Sequence, residues 1–165
     1  MSANSPNKLF KSELQDMYSA EQQILNALEE MSEEVEDEEL REAFSQHREQ
    51  TQGQIDRLEQ VFEKVGMEPE ADECKAIGGL IEEHEEFTQK DPSTSELEIF
   101  DNVSAQKVEH YEIASYGSLA KLADQLGMDD AGDLLHETLE EEEQTLTKLV
   151  NLANDYDYDQ LQGEA

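Results

Sequence analysis

Apolar residues recur every three or four positions through most of the chain, the spacing of helices with one buried face. In the first stretch, Ser5 followed by Pro6 reads as an N-cap with proline at the first helical position. The stripe then runs Leu14, Met17/Tyr18, Ile24/Leu25, Leu28, Met31 and Val35. Asp37 is the expected cap of a second helix carrying Leu40, Phe44, Ile55, Leu58, Val61/Phe62 and Val65, which ends at Gly66. A loop with Pro69 leads to a shorter helical pattern over about 71–89, with Cys74, Ile77, Leu80/Ile81, His84 and Phe87, and Asp91-Pro92 stops it. Ser93 with Glu96, or Ser95 with Glu98, has the spacing of a capping box. A third long helix is expected over about 96–126, ending at Gly127, and a fourth, capped by Asp129, to about Asn154. The polar ends, 1–4 and 155–165, are expected to fray. No stretch shows the alternation of a strand.

Four helices of about 30 residues are each about 45 Å long at 1.5 Å per residue. The first pair and the last pair are joined by short turns and should be antiparallel. About 29 residues separate the second long helix from the third, enough to return along the bundle, so these two should run parallel. The expected fold is all-α and a single domain over 1–165: a ferritin-like four-helix bundle whose long crossover contains a short fifth helix.

Charge narrows the function. There are 43 Asp and Glu against 11 Lys and Arg in 165 residues, a net charge of -32. So few cations cannot build a face for phosphate neutralisation, which excludes a nucleic-acid binder of that kind. The same repulsion disfavours anionic membranes, and no apolar run approaches the roughly 20 residues of a spanning helix. The start, MSANSPNKLF, lacks the apolar stretch of a secretory signal, and the single cysteine, Cys74, cannot form an intrachain disulfide; a cytoplasmic protein is expected. Such acidity can mean disorder, but the helical periodicity decides against it. The carboxylates are spread along every helix, which favours a halophilic host with molar salt in its cytoplasm over one basic partner.

The chemical signal lies where polar residues interrupt the stripes. Glu21 takes a core-facing step of the first helix. His47, Gln50/Thr51 and Gln54 do so on the second, Glu112 with Glu109 one turn earlier on the third, and Glu142 on the fourth. Glu21 and Gln50 lie about 15 residues from the first turn, and Glu112 and Glu142 about 15 from the last, so all fall near mid-bundle. In so acidic a chain one Glu in a stripe can be a solvated residue on a rotated helix. Three on three helices at matched depth are harder to explain so. Buried ionised carboxylates cost several kcal/mol each unless paired or bound to metal, and carboxylate with imidazole suits a pair of iron or manganese ions. His110 could face the core or the flank, while His84 and His136 are expected to be structural or exposed. Tyr18, Tyr111 and Tyr116 are expected as core aromatics. Cys74, Gly78 and Gly79 should let the crossover helix lie close on the bundle.

Several segments together resemble the YciF-like stress-response family. They are Tyr18-Ser-Ala-Glu21-Gln, His47 with Gln50-Thr51-Gln-Gly-Gln-Ile55, Cys74-Lys-Ala-Ile-Gly-Gly-Leu-Ile-Glu-Glu83, Gln106-Lys-Val-Glu-His-Tyr-Glu-Ile-Ala-Ser-Tyr-Gly117, and Glu137-Thr-Leu-Glu-Glu-Glu142 with Gln144-Thr145. The resemblance covers roughly 8–153. It implies a ferritin-like bundle, a rubrerythrin-like dimetal site, a homodimer and an association with osmotic or other stress. The family commonly has His-x-x-Glu-Thr where this chain has His47-Arg-Glu-Gln50-Thr51. Gln50 is a weaker ligand, so either Glu49 turns inward, or one metal is held firmly and the second loosely, or the site has lost competence. Thr145 stands where a His three residues after Glu142 would complete such a site.

Two main readings follow. In the first, Glu21, Glu112 and Glu142 bind a dinuclear iron (or manganese) centre, with His47 and Glu109 beside them and Gln50 as the weak position, and the substrate is a small oxidant or a metal ion. In the second, the chain is a metal-free helical stress or interaction protein with a decayed site. A sink for basic partners is a third.

Overall fold

The structure, a computed structural model, describes residues 6–34 and 38–162. Five α-helices and a terminal 3-10 turn account for most of them: α1 (Lys8–Glu34), α2 (Glu38–Lys64), α3 (Lys75–Thr88), α4 (Thr94–Leu126), α5 (Asp129–Ala153) and the turn Tyr158–Gln162. No strand occurs among the described residues. The expected caps at Ser5 and Asp37, Val35, and the side chain of Leu40 lie outside them.

Cross-helix bonds fix the topology. Tyr18 donates to Glu59 and Arg48 to Glu29, so α1 and α2 are antiparallel. Gln50 reaches Thr145, Gln54 reaches Glu141, Arg57 reaches Glu137 and Lys64 reaches Asp130, so α2 and α5 are antiparallel too. The two-residue turn between α4 and α5 folds that pair back on itself. Hence α2 and α4 run parallel on the diagonal, and residues 65–93, with α3 in their middle, carry the chain back along the bundle.

Local chemistry sets the ends. The Ser93–Glu96 capping box is formed: Ser93 Oγ accepts from the Glu96 amide at 3.3 Å, and Glu96 accepts from the Ser93 amide at 2.9 Å. Removing the hydroxyl in Ser93→Ala is expected to cost about 1 kcal/mol, read as a drop in thermal midpoint with unchanged helicity. Gly66 and Gly127 end α2 and α4 at φ 71° and 68°, where a Cβ would be strained.

Four boundaries differ from the sequence reading. The first helix begins after Pro6: Asn7 Oδ1 accepts from the Phe10 amide at 2.9 Å, so Asn7 is the cap. The crossover helix starts at Lys75, because the Asp72 amide donates to the Gln15 carbonyl and keeps 71–74 extended along α1. Asp129 is the first residue of α5, not its cap; the cap position is Met128, without a side-chain bond, and Asp129 and Asp130 face the positive end of the helix dipole. The chain after Asn154 includes the 3-10 turn, where Tyr158 Oη donates to the Ala153 carbonyl.

The apolar core is uneven along the bundle. Phe10, Leu14 and Met17 of α1, Leu58, Val61 and Phe62 of α2, Leu119 and Ala123 of α4 and Leu135 of α5 are fully buried at the end where α4 turns into α5. On the other half, the buried residues of α4 before Tyr116 are Asn102, Glu109 and Glu112. A polar layer therefore separates a tightly packed end from a looser one.

Candidate metal centre

That polar layer gathers one face of each long helix. Glu21 comes from α1, Glu142 from α5, and Glu109 with Glu112 from α4, where the i, i+3 spacing stacks both on one side. All four are at most 2% exposed. One carboxylate oxygen from each of Glu21, Glu112 and Glu142 lies within 4.8 Å of the others, close enough for a shared cation. Glu109 stands beside this trio against Glu142. His47, half-buried on α2, has Nε2 3.6 Å from Glu109 Oε1, beyond hydrogen-bond length.

The remaining polar groups hold the carboxylates in place. Tyr116, fully buried one turn after Glu112, donates its hydroxyl to Glu21. Gln54 is buried on α2 and donates its amide to Glu142, and to Glu141 at 3.1 Å. Arg57, one turn further, binds Glu141 at 2.9 Å, Glu137 at 2.9 Å and Thr138 at 2.8 Å, and so ties α2 to α5 behind the centre. From the sequence, Gln54 stood among the polar residues of the α2 stripe and Tyr116 among the core aromatics, but neither was named a ligand, and Arg57 was not singled out. Gln54 and Tyr116 do stand in the stripes one turn from a candidate ligand, and that spacing was the available signal.

Gln50 does not join the trio: its amide turns to Thr145 Oγ1 at 3.3 Å. Glu49 and His110 are exposed. His84 pairs with Asp101 at 2.7 Å and exposed His136 with Asp124 at 3.1 Å. Tyr111 donates to Asp16 and lies 3.1 Å from the Cys74 thiol, while the Cys74 amide donates to Ser19 at 3.0 Å. Gly78 would place a Cβ 3.2 Å from Gln23 Oε1, whereas Gly79 is open. The close approach of the crossover therefore rests on Cys74 and Gly78.

Among the described residues, three buried side-chain oxygens have no hydrogen-bond partner: Glu21 Oε2 and both oxygens of Glu109. The Glu109 and Glu142 carboxyls face each other, and only a shared proton would make that contact a hydrogen bond. Burial, reinforced by Glu142, pushes Glu21 up to about 8 and Glu109 up to about 10. Glu112 is held well above the usual carboxylate range by burial and then by Glu21, and Glu142 is raised by burial. Burial lowers His47, favouring the neutral imidazole that ligates metals. Unpartnered acidic oxygens converging in a dry layer fit a hard or borderline divalent cation, which supplies the missing charge and the missing bonds.

Comparisons with known proteins agree with this architecture. The crystal structure of the Escherichia coli stress protein YciF matches with a TM-score of 0.83 at 44% identity, over 90% of this chain and 94% of that one. YcfI of Rhodopseudomonas palustris matches with a TM-score of 0.81 at 41% identity, over 90% and 96%. A Xanthomonas campestris protein at 20% identity shares the fold, with a TM-score of 0.67 over 89% and 90%. By sequence, Protein YciF of Escherichia coli K12 is 48% identical over 144 residues, 85% of each chain. The family described as "Domain of unknown function (DUF892)" matches residues 5–160, and to this YciF-like family the chain belongs.

Proposed function

We propose that the chain is a carboxylate-held iron (or manganese) protein that handles iron, oxygen or peroxide under stress. Glu21, Glu112 and Glu142 would hold the metal, with Glu109 and His47 as further donors. The observation that carries this reading is the set of unpartnered oxygens of Glu21 and Glu109 inside a layer of converging carboxylates. Bound Fe(II) supplies electrons to oxygen or peroxide. The protein's own part is to orient and shield: Tyr116 fixes Glu21, Gln54 fixes Glu142, and the packed end covers one side of the layer. Similarity to a protein described as a stress protein supports the setting.

The test is metal content by mass spectrometry on untagged protein reconstituted anaerobically with Fe(II) in molar KCl. About two irons per chain, the dinuclear stoichiometry of ferritin-like carboxylate sites, with an absorbance change on adding oxygen or peroxide, is the expected result. A single iron would make the Gln50 position a half-site, consistent with an amide already engaged by Thr145. A folded protein that retains none would replace this reading with the metal-free structural one.

A further inference from the structure

Above the carboxylate layer the bundle is not filled. A cavity of about 650 Å³ lies between the looser halves of α1, α2 and α4, with α3 along its side. That size is within the roughly 300–1,000 Å³ typical of small-molecule pockets. Its walls include Ile24, Leu28, Phe44, Leu80, Leu97 and Val108, and it reaches Glu109 and His47. At one rim it meets exposed Glu30, Glu85, Thr88 and Gln89, so it opens to solvent there, while buried Ile24, Leu28 and Glu109 mark its depth.

We propose that this cavity binds an uncharged, largely apolar small molecule with a single hydroxyl-type end, seated so that this end meets Glu109 and His47. Three observations define the ligand. The apolar walls favour a hydrocarbon body, because such surface is poorly served by water. The floor is a fully buried carboxyl with both oxygens unpartnered, next to an imidazole nitrogen, which together can donate to and accept from a hydroxyl. No Lys or Arg lines the cavity among the described residues, and its one other imidazole, His84, is engaged by Asp101. An anionic head would therefore meet Glu30, Glu85 and Glu109 with no cation to receive it. As the seat of a substrate, the pocket rests on the metal reading above and gives its substrate class, an apolar hydroperoxide, of which the alcohol is the two-electron reduced form; as a binding site it needs no metal.

The experiment uses the full chain, chelated, in molar KCl. N-phenyl-1-naphthylamine serves as a neutral fluorescent probe, with 1-decanol and decanoate as competitors. Saturable one-site fluorescence enhancement is expected, displaced by 1-decanol with an affinity at least about tenfold above that of decanoate, a 1.4 kcal/mol preference. Ala105→Phe, which fills the cavity from α4, and Ala27→Phe, which fills it from α1, are each expected to weaken the probe at least about tenfold while far-UV circular dichroism and metal uptake stay unchanged. The pair keeps the test open if one variant fails to fold. No saturable binding by folded wild type, equal affinity for decanol and decanoate, or undiminished binding in the folded filled variants would overturn the proposal. So would filled variants that change the sedimentation coefficient and not probe binding, since the groove would then be an interface between copies. Metal content is read separately: probe binding without metal uptake removes the substrate role and leaves the pocket, and metal uptake without probe binding removes the pocket alone.

Discussion

Glu112→Gln combined with Glu142→Gln is expected to abolish metal retention while far-UV circular dichroism stays at the wild-type level. The amide is nearly the shape of the carboxyl, so packing around both positions is kept. Gln54 can still donate to the oxygen of a Gln at 142, as it does to Glu142. What disappears is charge: two of the three converging carboxylates become neutral and weakly coordinating. Iron content should fall from about two per chain to a small fraction of that. The metal-free double variant should also melt higher than metal-free wild type, because a cluster of buried carboxyls with mutual repulsion has been replaced by neutral groups. Iron content unchanged by the two substitutions would sink the assignment of these residues as ligands.

Much of this site was readable in the sequence because it breaks a pattern. A helix that buries one face shows its register through Leu, Ile and Val, and Glu21, Glu112 and Glu142 stand in that register where an apolar residue belongs. Depth followed by counting residues from the short turns. The supporting groups were harder to see. Arg57 takes its role from the rotation of α2 against α5, which brings its guanidinium to Glu141 and Thr138, and no one-helix pattern encodes that rotation. Helix ends decided by one hydrogen bond also escaped: Asn7 and Ser5 are both good caps by type, and the Phe10 amide shows that Asn7 caps α1. The stripes carry no measure of packing density. Phe44, Leu97 and Val108 keep the right spacing, but with α3 at their side they line a cavity instead of meeting one another. Spacing reports which side faces inward and not how closely the facing sides approach.

The buried carboxyls also make the stability of the metal-free protein depend on pH in a direction opposite to that of ordinary paired acids. In the unfolded chain these groups ionise near the usual Glu value of about 4.3. In the folded chain Glu21 holds its proton up to about 8 and Glu109 up to about 10, mainly because burial disfavours the charge. Below pH 4 both states are protonated, and the advantage of the folded state at these sites is complete. Between the two sets of values the folded state binds more protons than the unfolded one, so raising the pH lowers stability. With about 1 kcal/mol worth roughly 2–4 °C for a domain of this size, the melting temperature in chelator and molar KCl should fall on the order of 10 °C from pH 5 to pH 9. Molar salt confines the effect to the interior, because a Debye length of about 3 Å screens the exposed carboxylates from one another. Glu109→Gln should flatten the slope, since the group with the higher of the two values no longer titrates. Mn(II) should flatten it as well and release protons on binding, because cation coordination replaces the protons the cluster would otherwise hold. A melting temperature that is constant or rises from pH 5 to pH 9 in the chelated wild type would show that these carboxyls are hydrated, and would remove the electrostatic case for a cation at the centre.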